Sequence, residues 1–384
     1  MELKYGCNPH QKPATLEVPN GAFTFLNGTP GYINMLDALG SWQLVHALKK
    51  ATGVPSAASF KHVSPAGAAV ARPLTDPLRG SQMLGDEAFS PVATAYIRAR
   101  AGDRMSSFGD VAAVSDTVDV SLAKVLNMEV SDLIVAPDFE PEALDILKQK
   151  KGGKFLIIRA DPDYTPPEVE TREVFGFTLA QRHDDSEITK AMFARSMLGE
   201  AVPEDIQETL VVATVALKYT QSNSVCLAYD GQVIGMGAGQ QSRIHCTRLA
   251  CAKAEKWFLQ QHPKTLALKF KDGLMRAEKT NVVDQYLLWD ELSQPEMATM
   301  LVGLDEKPEP ITRDERLAWI RQHDGICLSS DAFIPFRDNI DRAGRTNVQY
   351  IAQPGGSARD ESVTEAATSC GMKMIHTGVR CFLH

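Results

Sequence analysis

Long apolar segments and export signals are missing from this sequence. It contains no run of about eighteen apolar residues, which a membrane-spanning helix would need. The N-terminus, MELKYGCNPHQ, lacks the apolar core of a signal peptide. We therefore expect neither a membrane span nor export, and we predict a cytoplasmic protein.

Cysteine is scarce and irregularly placed. The chain has 7 cysteines, an odd number, and no two of them form a CxxC pair. This pattern argues against a disulfide framework and against a zinc knuckle. The HxE and PCxxC signature of zinc-dependent nucleobase deaminases is also missing. We therefore expect a reaction that requires no metal.

Positive charge is in deficit. Lysine and arginine total 40 against 48 aspartates and glutamates, which gives a net charge of -8 at pH 7. Binding to a nucleic-acid backbone needs a basic face, so we expect no nucleic-acid partner. An anionic ligand would have to be held by individual arginines and lysines.

The residues that are present predict two α/β lobes. The chain has 384 residues, 44% of them hydrophobic, and is long enough for two cores. Residues 34–52 have apolar side chains at helical spacing, with Asn34 as the cap and Gly53 at the end. A first lobe, residues 1–175, is then predicted from the strand SAASF, the strand SDLIVAP, the helix EPEALDILKQKK and the strand KFLIIRA.

The second lobe, residues 176–384, is also predicted to be α/β. Residues 178–208 are polar and irregular, and they are predicted to cross between the lobes. The segment ETLVVATVALKY is typical of a buried helix, and SVCLAYDGQVIGMGAG is typical of a β-hairpin around Asp230-Gly231. A helix from QSRIHC onward, the strand ICLSS, a helix near 337–345 and the strand VQYIAQP complete the lobe.

The segment SFKHVSPAG at 59–67 places a lysine beside a histidine where an apolar strand meets a Pro/Gly turn. In a loop, Lys61 and His62 can converge on one ligand, and the ammonium would help to keep the imidazole neutral. This arrangement suits an acid and a base that act at opposite ends of one group transfer. Four histidines without such a neighbour are interpreted as structural or surface residues: His46, His183, His262 and His323.

Four loops each allow a structural and a functional interpretation. In GMGAGQQSR at 235–243 the third glycine falls one position early for a dinucleotide loop, so the segment is either a tight turn or a place where a ligand approaches the backbone. MSSFGD at 105–110 is either a capped turn or a receiver of polar ligand groups. SSDAFIPFRD at 329–338 either starts a helix or grips a flat heterocycle. PGGSARD at 354–360 is either a turn or a place where backbone amides bind an anion or the edge of a heterocycle.

Seven segments, taken together, strongly resemble a single family. They are KYGCNPHQ at 4–11, SFKHVSPAG at 59–67, DRMSSFGD at 103–110, YTQSNSVC at 219–226, GAGQQSRIHCTRLA at 237–250, SSDAFIPFRD at 329–338 and the terminal TGVRCFLH. The family is that of AICAR transformylase, the formyltransferase half of the bifunctional purine-biosynthesis protein. The resemblance runs in uninterrupted order from residue 2 to residue 384.

The resemblance implies a reaction and a fold. The reaction is transfer of a formyl group from the co-substrate 10-formyltetrahydrofolate to the 5-amino group of AICAR, which gives FAICAR and tetrahydrofolate. The fold is two tandem cytidine-deaminase-like lobes without zinc. In this reaction His62 would take the proton of the attacking amine, while Lys61 would stabilise the transition state and help to protonate the departing folate nitrogen.

The same resemblance implies the binding residues and the assembly. For AICAR they are Lys4, Tyr5 and Arg380 at the phosphate, Gly109 and Asp132 at the ribose, Asn223 and Arg243 at the carboxamide, and Phe333 at the base. For folate they are Ile244, Asp338, Ser357 and Ala358. The protein is implied to be a homodimer with active sites at the subunit interface.

Three positions depart from the family pattern. Lys4 stands where the family usually has arginine, Ile334 where it has a second phenylalanine, and Cys381 where it often has histidine. These changes concern ligand affinity rather than the acid and the base. The IMP cyclohydrolase domain of the bifunctional members, which precedes the motif at Lys4, is not expected in this chain, so a separate cyclohydrolase is expected in the pathway.

The alternative to an enzyme is a regulatory protein that binds AICAR and has weak or no transformylase activity. The missing cyclohydrolase and the changed residues near the ligand motivate it. The intact folate-side residues favour the enzyme, because a sensor of AICAR would not need them.

Overall fold

The computed structural model describes all residues of the chain, 1–384. Its first half contains two short paired strands, six further strands and five helices. In chain order they are β1 (Glu2–Leu3), β2 (Ala14–Thr15), β3 (Phe23–Asn27), α1 (Tyr32–Thr52), β4 (Ser56–Phe60), β5 (Pro65–Val70), α2 (Asp76–Ser81), α3 (Pro91–Ala101), β6 (Asp110–Val114), α4 (Val120–Met128), β7 (Ser131–Ala136), α5 (Pro141–Gly153) and β8 (Leu156–Ala160).

A hairpin and a 3-10 turn connect this half to the next. The hairpin consists of β9 (Val169–Val174) and β10 (Phe177–Arg182), and the turn covers Lys190–Phe193. The second half follows with α6 (Glu204–Lys218), β11 (Val225–Tyr229), β12 (Gln232–Gly237), α7 (Arg243–Gln260), α8 (Pro263–Leu266), α9 (Arg276–Leu287), α10 (Gln294–Val302), α11 (Arg313–Ile320), β13 (Cys327–Ser330), α12 (Asp338–Arg345), β14 (Tyr350–Gln353), α13 (Asp360–Ser369) and β15 (Lys373–His376).

Eleven strands form one mixed sheet in the order β15-β14-β13-β11-β12-β5-β4-β6-β7-β8-β3. The pairs β4–β5 and β11–β12 are antiparallel hairpins, whereas β6-β7-β8 and β13-β14-β15 are parallel. The two sets of strands join where Gln232 of β12 pairs with Ala69 of β5. The predicted α/β class is confirmed.

The two halves of the sheet have the same order of elements. In each half a helix precedes an antiparallel hairpin, and further helices follow it, two in the first half and five in the second. Three parallel strands with two intervening helices complete each half. The boundary predicted at residue 175 falls at the tip of the β9–β10 hairpin. The division into lobes and the likeness to cytidine deaminase stay predictions.

Helices cover both faces of the sheet. On one face α1 and α6 pack together over a core of 35 buried residues that extends across both halves. On the other face α3, α4 and α5 cover the first half, and α7, α12 and α13 cover the second. Helices α9 and α10 build a small separate core of 8 buried residues around Tyr286 and Met300. None of the helices is long and apolar enough to cross a membrane.

Close contact between the sheet and α7 depends on glycine. A Cβ added to Gly235 would lie 2.2 Å from the carbonyl oxygen of Ala250, and one added to Gly237 would lie 2.1 Å from that of Cys246. Both distances are far below van der Waals contact, so β12 and α7 approach each other as only glycine allows. This packing fixes the N-terminus of α7 above the end of β12.

Two local predictions need correction. The helix predicted at 34–52 exists, and Gly53 ends it in a left-handed conformation, but the helix begins at Tyr32. Gly31 rather than Asn34 is the cap residue, because the Gly31 carbonyl already accepts the N–H of Met35 at 3.0 Å.

The second correction concerns the crossover at 178–208. It was predicted to be irregular, yet it contains all of β10 except Phe177, the 3-10 turn and the start of α6 at Glu204. All twelve residues of β9 and β10 are exposed, so the hairpin has no alternation of buried and exposed side chains. That alternation is the signal from which a strand is recognised in a sequence.

Candidate active site

Loops from both halves of the sheet meet at one edge. In the first half the β4–β5 loop lies beside the start of β6, since Phe60 pairs with Val111. In the second half the start of β11 lies beside the end of β13, since Val225 pairs with Ser330. Strands β5 and β12 run antiparallel, so the β4–β5 loop of the first half and the start of β11 in the second half lie at the same edge of the sheet. The amino ends of β6 and β7 therefore adjoin the carboxyl ends of β12 to β15.

The β4–β5 loop is a tight turn that carries Lys61 and His62. The Lys61 N–H donates to the carbonyl of Ser64 at 3.0 Å. His62 and Val63 have left-handed backbone, with φ of 57° and 58°. Such a conformation costs on the order of 1–3 kcal/mol outside glycine, and it is least favourable for a β-branched residue. The turn presents His62 as an exposed side chain and Lys61 as a half-buried one.

Asp37 of α1 anchors this turn. Its Oδ1 accepts the Val63 N–H at 2.6 Å. The carboxylate is 4% exposed. Burial raises the pKa of Asp37, while the Val63 N–H and the charge of His62 lower it and the charge of Asp132 raises it further. Asp37, His62 and Asp132 therefore interact electrostatically at the edge of the sheet.

Gly109 lies directly beside Lys61. The Lys61 ammonium donates to the carbonyl of Phe108, and a Cβ on Gly109 would lie 4.0 Å from Lys61 Nζ. Gly109 has φ of 74° and donates its N–H to Val130 at 2.8 Å, two residues before Asp132. The structure thus gathers four of the six site residues predicted in the first half: Lys61, His62, Gly109 and Asp132.

The buried carboxylate of Asp110 connects the strand before the Lys61–His62 turn to the segment that carries Gly109. Asp110 is fully buried and accepts hydrogen bonds from Ser59 Oγ at 2.6 Å and from the Tyr96 hydroxyl at 3.2 Å. Arg100 Nη1 lies 3.0 Å from its other oxygen. Burial raises the pKa of Asp110, and the Arg100 charge lowers it. The network joins the residue before the β4–β5 loop to the end of segment 103–109, so it sets their separation.

In the second half, Arg243 is the centre of a buried polar cluster. It is the first residue of α7 and forms an ion pair with the fully buried Asp331. Its Nη2 donates to Asn223 Oδ1 at 3.0 Å, and its Nη1 donates to the Ser224 carbonyl at 2.9 Å. Asp331 also accepts from Ser222 Oγ at 2.7 Å. The predicted pair of Asn223 and Arg243 is therefore in direct contact.

The two groups of loops touch each other. The backbone N–H of Gln221 donates to Ser64 Oγ at 3.5 Å, and the Gln221 carbonyl accepts the N–H of Gly239 at 2.8 Å. The turn that carries Lys61 and His62 consequently borders the loop that carries Asn223.

The C-terminal segment packs against the loop that carries Ser222 and Asn223. The Ser222 N–H donates to the Leu383 carbonyl at 3.0 Å, and Ser222 Oγ accepts the Leu383 N–H at 3.1 Å. Cys381 is buried and donates its N–H to the Asp331 carbonyl at 2.9 Å. The Arg380 guanidinium lies over the ring of Phe382, 4.7 Å from the ring centroid. The terminal motif therefore belongs to the same edge as Arg243.

The loop after β13 exposes one predicted residue and buries its neighbour. Phe333 is 44% exposed, whereas Ile334 is buried in the core under α7 and α12. The Ile334 N–H donates to Gln353 Oε1 at 2.6 Å, and Gln353 Nε2 lies 3.0 Å from His376 Nε2. The departure at Ile334 thus changes core packing beneath the exposed Phe333.

The residues predicted for folate lie around the starts of α7, α12 and α13. Thr247, one turn after Arg243, donates to Asn339 Oδ1 at 2.7 Å, and Asn339 Nδ2 donates to Asp338 Oδ1 at 2.9 Å. This chain of contacts connects exposed Asp338 to the turn of α7 that carries Ile244.

An open groove of about 400 Å³ separates the start of α12 from α13. Phe336 and Arg359 line it, and the guanidinium lies 4.9 Å from the ring centroid. Arg359 directly follows Ser357 and Ala358, whose turn is held by Asp360 Oδ2 accepting the Ser357 N–H at 3.1 Å. None of the predicted folate residues lines the groove itself, but its lining residues Arg337 and Arg359 directly adjoin Asp338 and Ala358 in the chain.

Lys4 and Tyr5 lie apart from the other predicted residues. They occupy the loop between β1 and β2, and the Lys4 ammonium lies 5.9 Å from the Tyr5 ring centroid. The hydrogen bonds of residues 1–16 all stay within that segment. Within one chain, the structure does not join Lys4 and Tyr5 to Arg380.

Sequence reasoning missed three carboxylates that organise the site: Asp37, Asp110 and Asp331. For Asp37 a signal existed, because it shares a helical face with the buried Ser41 and Leu44 of α1. Asp110 and Asp331 fall within segments that were singled out, but nothing local distinguishes a buried carboxylate from a solvated one. Their partners come from distant parts of the chain.

The arrangement brings together side chains that can accept, donate or stabilise a proton. It has an exposed imidazole and an ammonium at one edge, and an amide and a guanidinium across from them. No group of three or more histidine, cysteine, aspartate or glutamate side chains is positioned to bind a metal ion.

Fold and site define an α/β protein whose candidate site is assembled from both halves of one sheet. The family model described as AICARFT/IMPCHase bienzyme matches residues 1–253, and the chain belongs to this family. The bifunctional purine biosynthesis protein PurH of Roseobacter denitrificans is 29% identical over 389 residues, which cover 100% of this chain and 59% of the relative. PurH of Xanthomonas campestris pv. campestris is 29% identical over 393 residues, covering 100% and 58%. The chain spans about three fifths of the length of these relatives.

The Arg243–Asp331 pair provides a test of the second group of loops. In Asp331→Asn the guanidinium stays buried but loses its counter-charge, so we expect the free energy of unfolding to fall by about 3–5 kcal/mol. Asp341→Asn is the matched control, since its pair with Arg337 at 3.2 Å is exposed and should contribute less than about 1 kcal/mol. Urea unfolding followed by circular dichroism measures both. Similar small losses in the two variants would contradict the assigned role of Asp331.

Proposed function

We propose that this protein transfers the formyl group of 10-formyltetrahydrofolate to the 5-amino group of AICAR, giving FAICAR and tetrahydrofolate in purine biosynthesis. The observation that carries the proposal is the meeting of the Lys61–His62 turn with the Asn223–Arg243 pair at one sheet edge, through the contact of Gln221 with Ser64. Membership of the AICARFT/IMPCHase family supports the same reaction.

The chemistry requires a base at the amine and an acid at the folate. An aromatic amine conjugated to a carboxamide is a weak nucleophile, so it must lose a proton as it attacks the formyl carbon. His62 accepts this proton. The new C–N bond forms as the bond between the formyl carbon and the folate nitrogen breaks, and Lys61 stabilises the transition state and helps to protonate that nitrogen.

The carboxamide of AICAR is assigned to Asn223 and Arg243. Arg243 is held by a buried carboxylate, so its direction is set before the substrate binds. Phe333 follows Asp331 by two residues and is exposed, and its ring is assigned to the imidazole of AICAR. Gly109 and Asp132 receive the ribose on the other side of the site. Gly109 is half-buried, and its lack of a side chain lets a ligand approach its backbone closely.

Folate is assigned to the groove beside Asp338. The pteridine edge would hydrogen-bond the Asp338 carboxylate, and Ser357, Ala358 and Ile244 would contact the rest of the molecule. Phe336 and Arg359 form a flat wall in this groove, which suits an aromatic ligand.

Mutation of His62 tests the reaction. We expect His62→Ala to lower the rate of formyl transfer at least about hundredfold, the effect typical of removing a general base, while AICAR still binds. The measurement is the folate-dependent change in absorbance, with AICAR affinity determined separately by calorimetry. His46→Ala is the control, because that histidine is exposed on α1 next to Trp42 and should leave the rate unchanged.

The same assay separates the enzyme from an AICAR-binding regulator. A regulator would bind AICAR and show little or no formyl transfer in the unaltered protein. Near-normal turnover in His62→Ala would be consistent with the proposed reaction but would show that His62 is not its base.

Lys4 tests the assignment of the phosphate. Lysine provides a point charge where an arginine would offer a planar pair of donors. If Lys4 faces the phosphate, Lys4→Ala should weaken AICAR binding by about 1.5–3 kcal/mol, the contribution of a hydrogen bond to a charged group, with little effect on folate. Titration of AICAR and of its dephosphorylated riboside measures this. An equal loss for both ligands, or no loss for either, would remove Lys4 from the phosphate site.

A homodimer is proposed as the working form. Three large apolar residues of the β9–β10 hairpin are exposed: Phe175 (97% exposed), Phe177 (70%) and Leu179 (61%). Such an apolar surface is unusual for a monomer. Pairing of two chains would also allow Lys4 and Tyr5 of one chain to complete the phosphate end of the other.

Sedimentation tests the dimer. The unaltered protein should sediment at about twice the chain mass of 42.0 kDa. Lysines at Phe177 and Leu179, which share one face of β10, should weaken association at least about tenfold because they place charge in an apolar contact. Thr178→Lys, on the opposite face of the same strand, is the control and should sediment as the unaltered protein does. An active monomer at assay concentration would contradict the proposal.

A further inference from the structure

A small cavity lies behind the segment that carries Gly109. It has a volume of about 50 Å³ and lies between α2, the end of α7 and the helices α8 and α9. A cavity needs roughly 10–15 Å³ to admit one water, so this one has room for a few non-hydrogen atoms. Its walls combine a cation and an amide with apolar side chains: Arg104, Gln260, Met83, Leu266, Phe270 and Val283.

Arg104 is the only charged residue that lines the cavity, and its hydrogen bonding is incomplete. It is 6% exposed. Its Nη1 donates to the Ser81 carbonyl at 3.0 Å, but its Nε and Nη2 donate no hydrogen bond. The nearest carboxylate oxygen, on Glu129, is 4.0 Å from Nη2, which is beyond hydrogen-bond distance. A buried guanidinium therefore presents unused donors at the cavity.

The surrounding charges do not neutralise Arg104. Glu129 lies 2.6 Å from Arg276 Nη2 and 3.4 Å from Arg100 Nε, and Asp110 lies 3.0 Å from Arg100. Three guanidinium groups thus face two carboxylates, and three minus two leaves one positive charge. Burial lowers the pKa of Arg104 to about 10, because Glu129 offsets only part of the lost hydration and the other two arginines add to the effect.

The other donors of the cavity are mostly occupied. Thr265 Oγ1 donates to the Leu259 carbonyl and Thr280 Oγ1 donates to the Arg276 carbonyl, both within hydrogen-bond distance at 2.7 Å and 2.9 Å. The Gln260 amide forms no hydrogen bond within the chain, so its N–H groups remain available beside Arg104.

We propose that this cavity binds a short-chain carboxylate, of the size of acetate, between Arg104 and Gln260. A carboxylate accepts two parallel hydrogen bonds from a guanidinium and supplies the missing negative charge. Its methyl group fits the apolar walls, which would exclude a strongly hydrated ion. The cavity is too small for a nucleotide or a folate, and none of its lining residues is assigned to AICAR or folate, so it is distinct from the proposed active site.

Thermal unfolding in sodium acetate, compared with sodium chloride at equal ionic strength, tests the proposal. A ligand that binds only the folded state lowers the unfolding constant by a factor of one plus its concentration over Kd, which is about tenfold at about ten times Kd. We expect this acetate-specific effect in the unaltered protein. It should disappear in Arg104→Met, and remain in Arg321→Met, which removes an exposed arginine outside the cavity.

Gln260→Leu supplies a second variant, because it removes the amide without leaving a buried charge unpaired. We expect it to weaken the acetate effect severalfold. A crystal structure of the unaltered protein grown in acetate should show the carboxylate within hydrogen-bond distance of Arg104. Equal stabilisation by acetate and chloride, an acetate effect that survives in Arg104→Met, or a cavity without acetate in that crystal would each overturn the proposal.

Discussion

The pairing of β12 with β5 is the constraint on which the rest of the site depends. Each half of the sheet contains three adjacent parallel strands, and the two sets run in opposite directions because the central hairpins meet antiparallel. The amino ends of β6 and β7 consequently share an edge with the carboxyl ends of β13, β14 and β15. A site built from both halves follows from this geometry, since neither half alone has both the Lys61–His62 turn and the Arg243 cluster.

A buried ion pair supports each side of that edge. On one side Asp110 and Arg100 hold the residues before Lys61 and after Gly109. On the other, Asp331 and Arg243 hold the loop of Asn223 and the C-terminal segment. Buried ion pairs add little net stability, but breaking one is costly, so each pair favours a single arrangement of its loops. The loops on both sides of the site are therefore held in one arrangement before a ligand binds.

The helices and strands that could be predicted from the sequence are those whose buried faces give a regular pattern of apolar residues. Helices α1 and α6, the β11–β12 hairpin and four of the six parallel strands have buried faces, and each was predicted near its observed place. The parallel strands β6 and β15 are also buried, but they were not predicted. The β9–β10 hairpin was missed, because every one of its residues is exposed and no pattern marks it. The role of Asp331 was missed for a different reason. Its partner Arg243 is 88 positions away, and only the folded chain brings the two charges together.

Strain at the β4–β5 loop connects the fold to the candidate chemistry. Left-handed backbone at two successive residues, one of them β-branched, is unfavourable unless the surroundings fix it. Two contacts do so here: the Lys61 N–H donates across the turn to Ser64, and Asp37 of α1 accepts the Val63 N–H. The turn cannot relax to ordinary backbone without losing the bond to Asp37. A buried carboxylate on a helix packed against the sheet thus anchors the backbone that carries the exposed His62 imidazole.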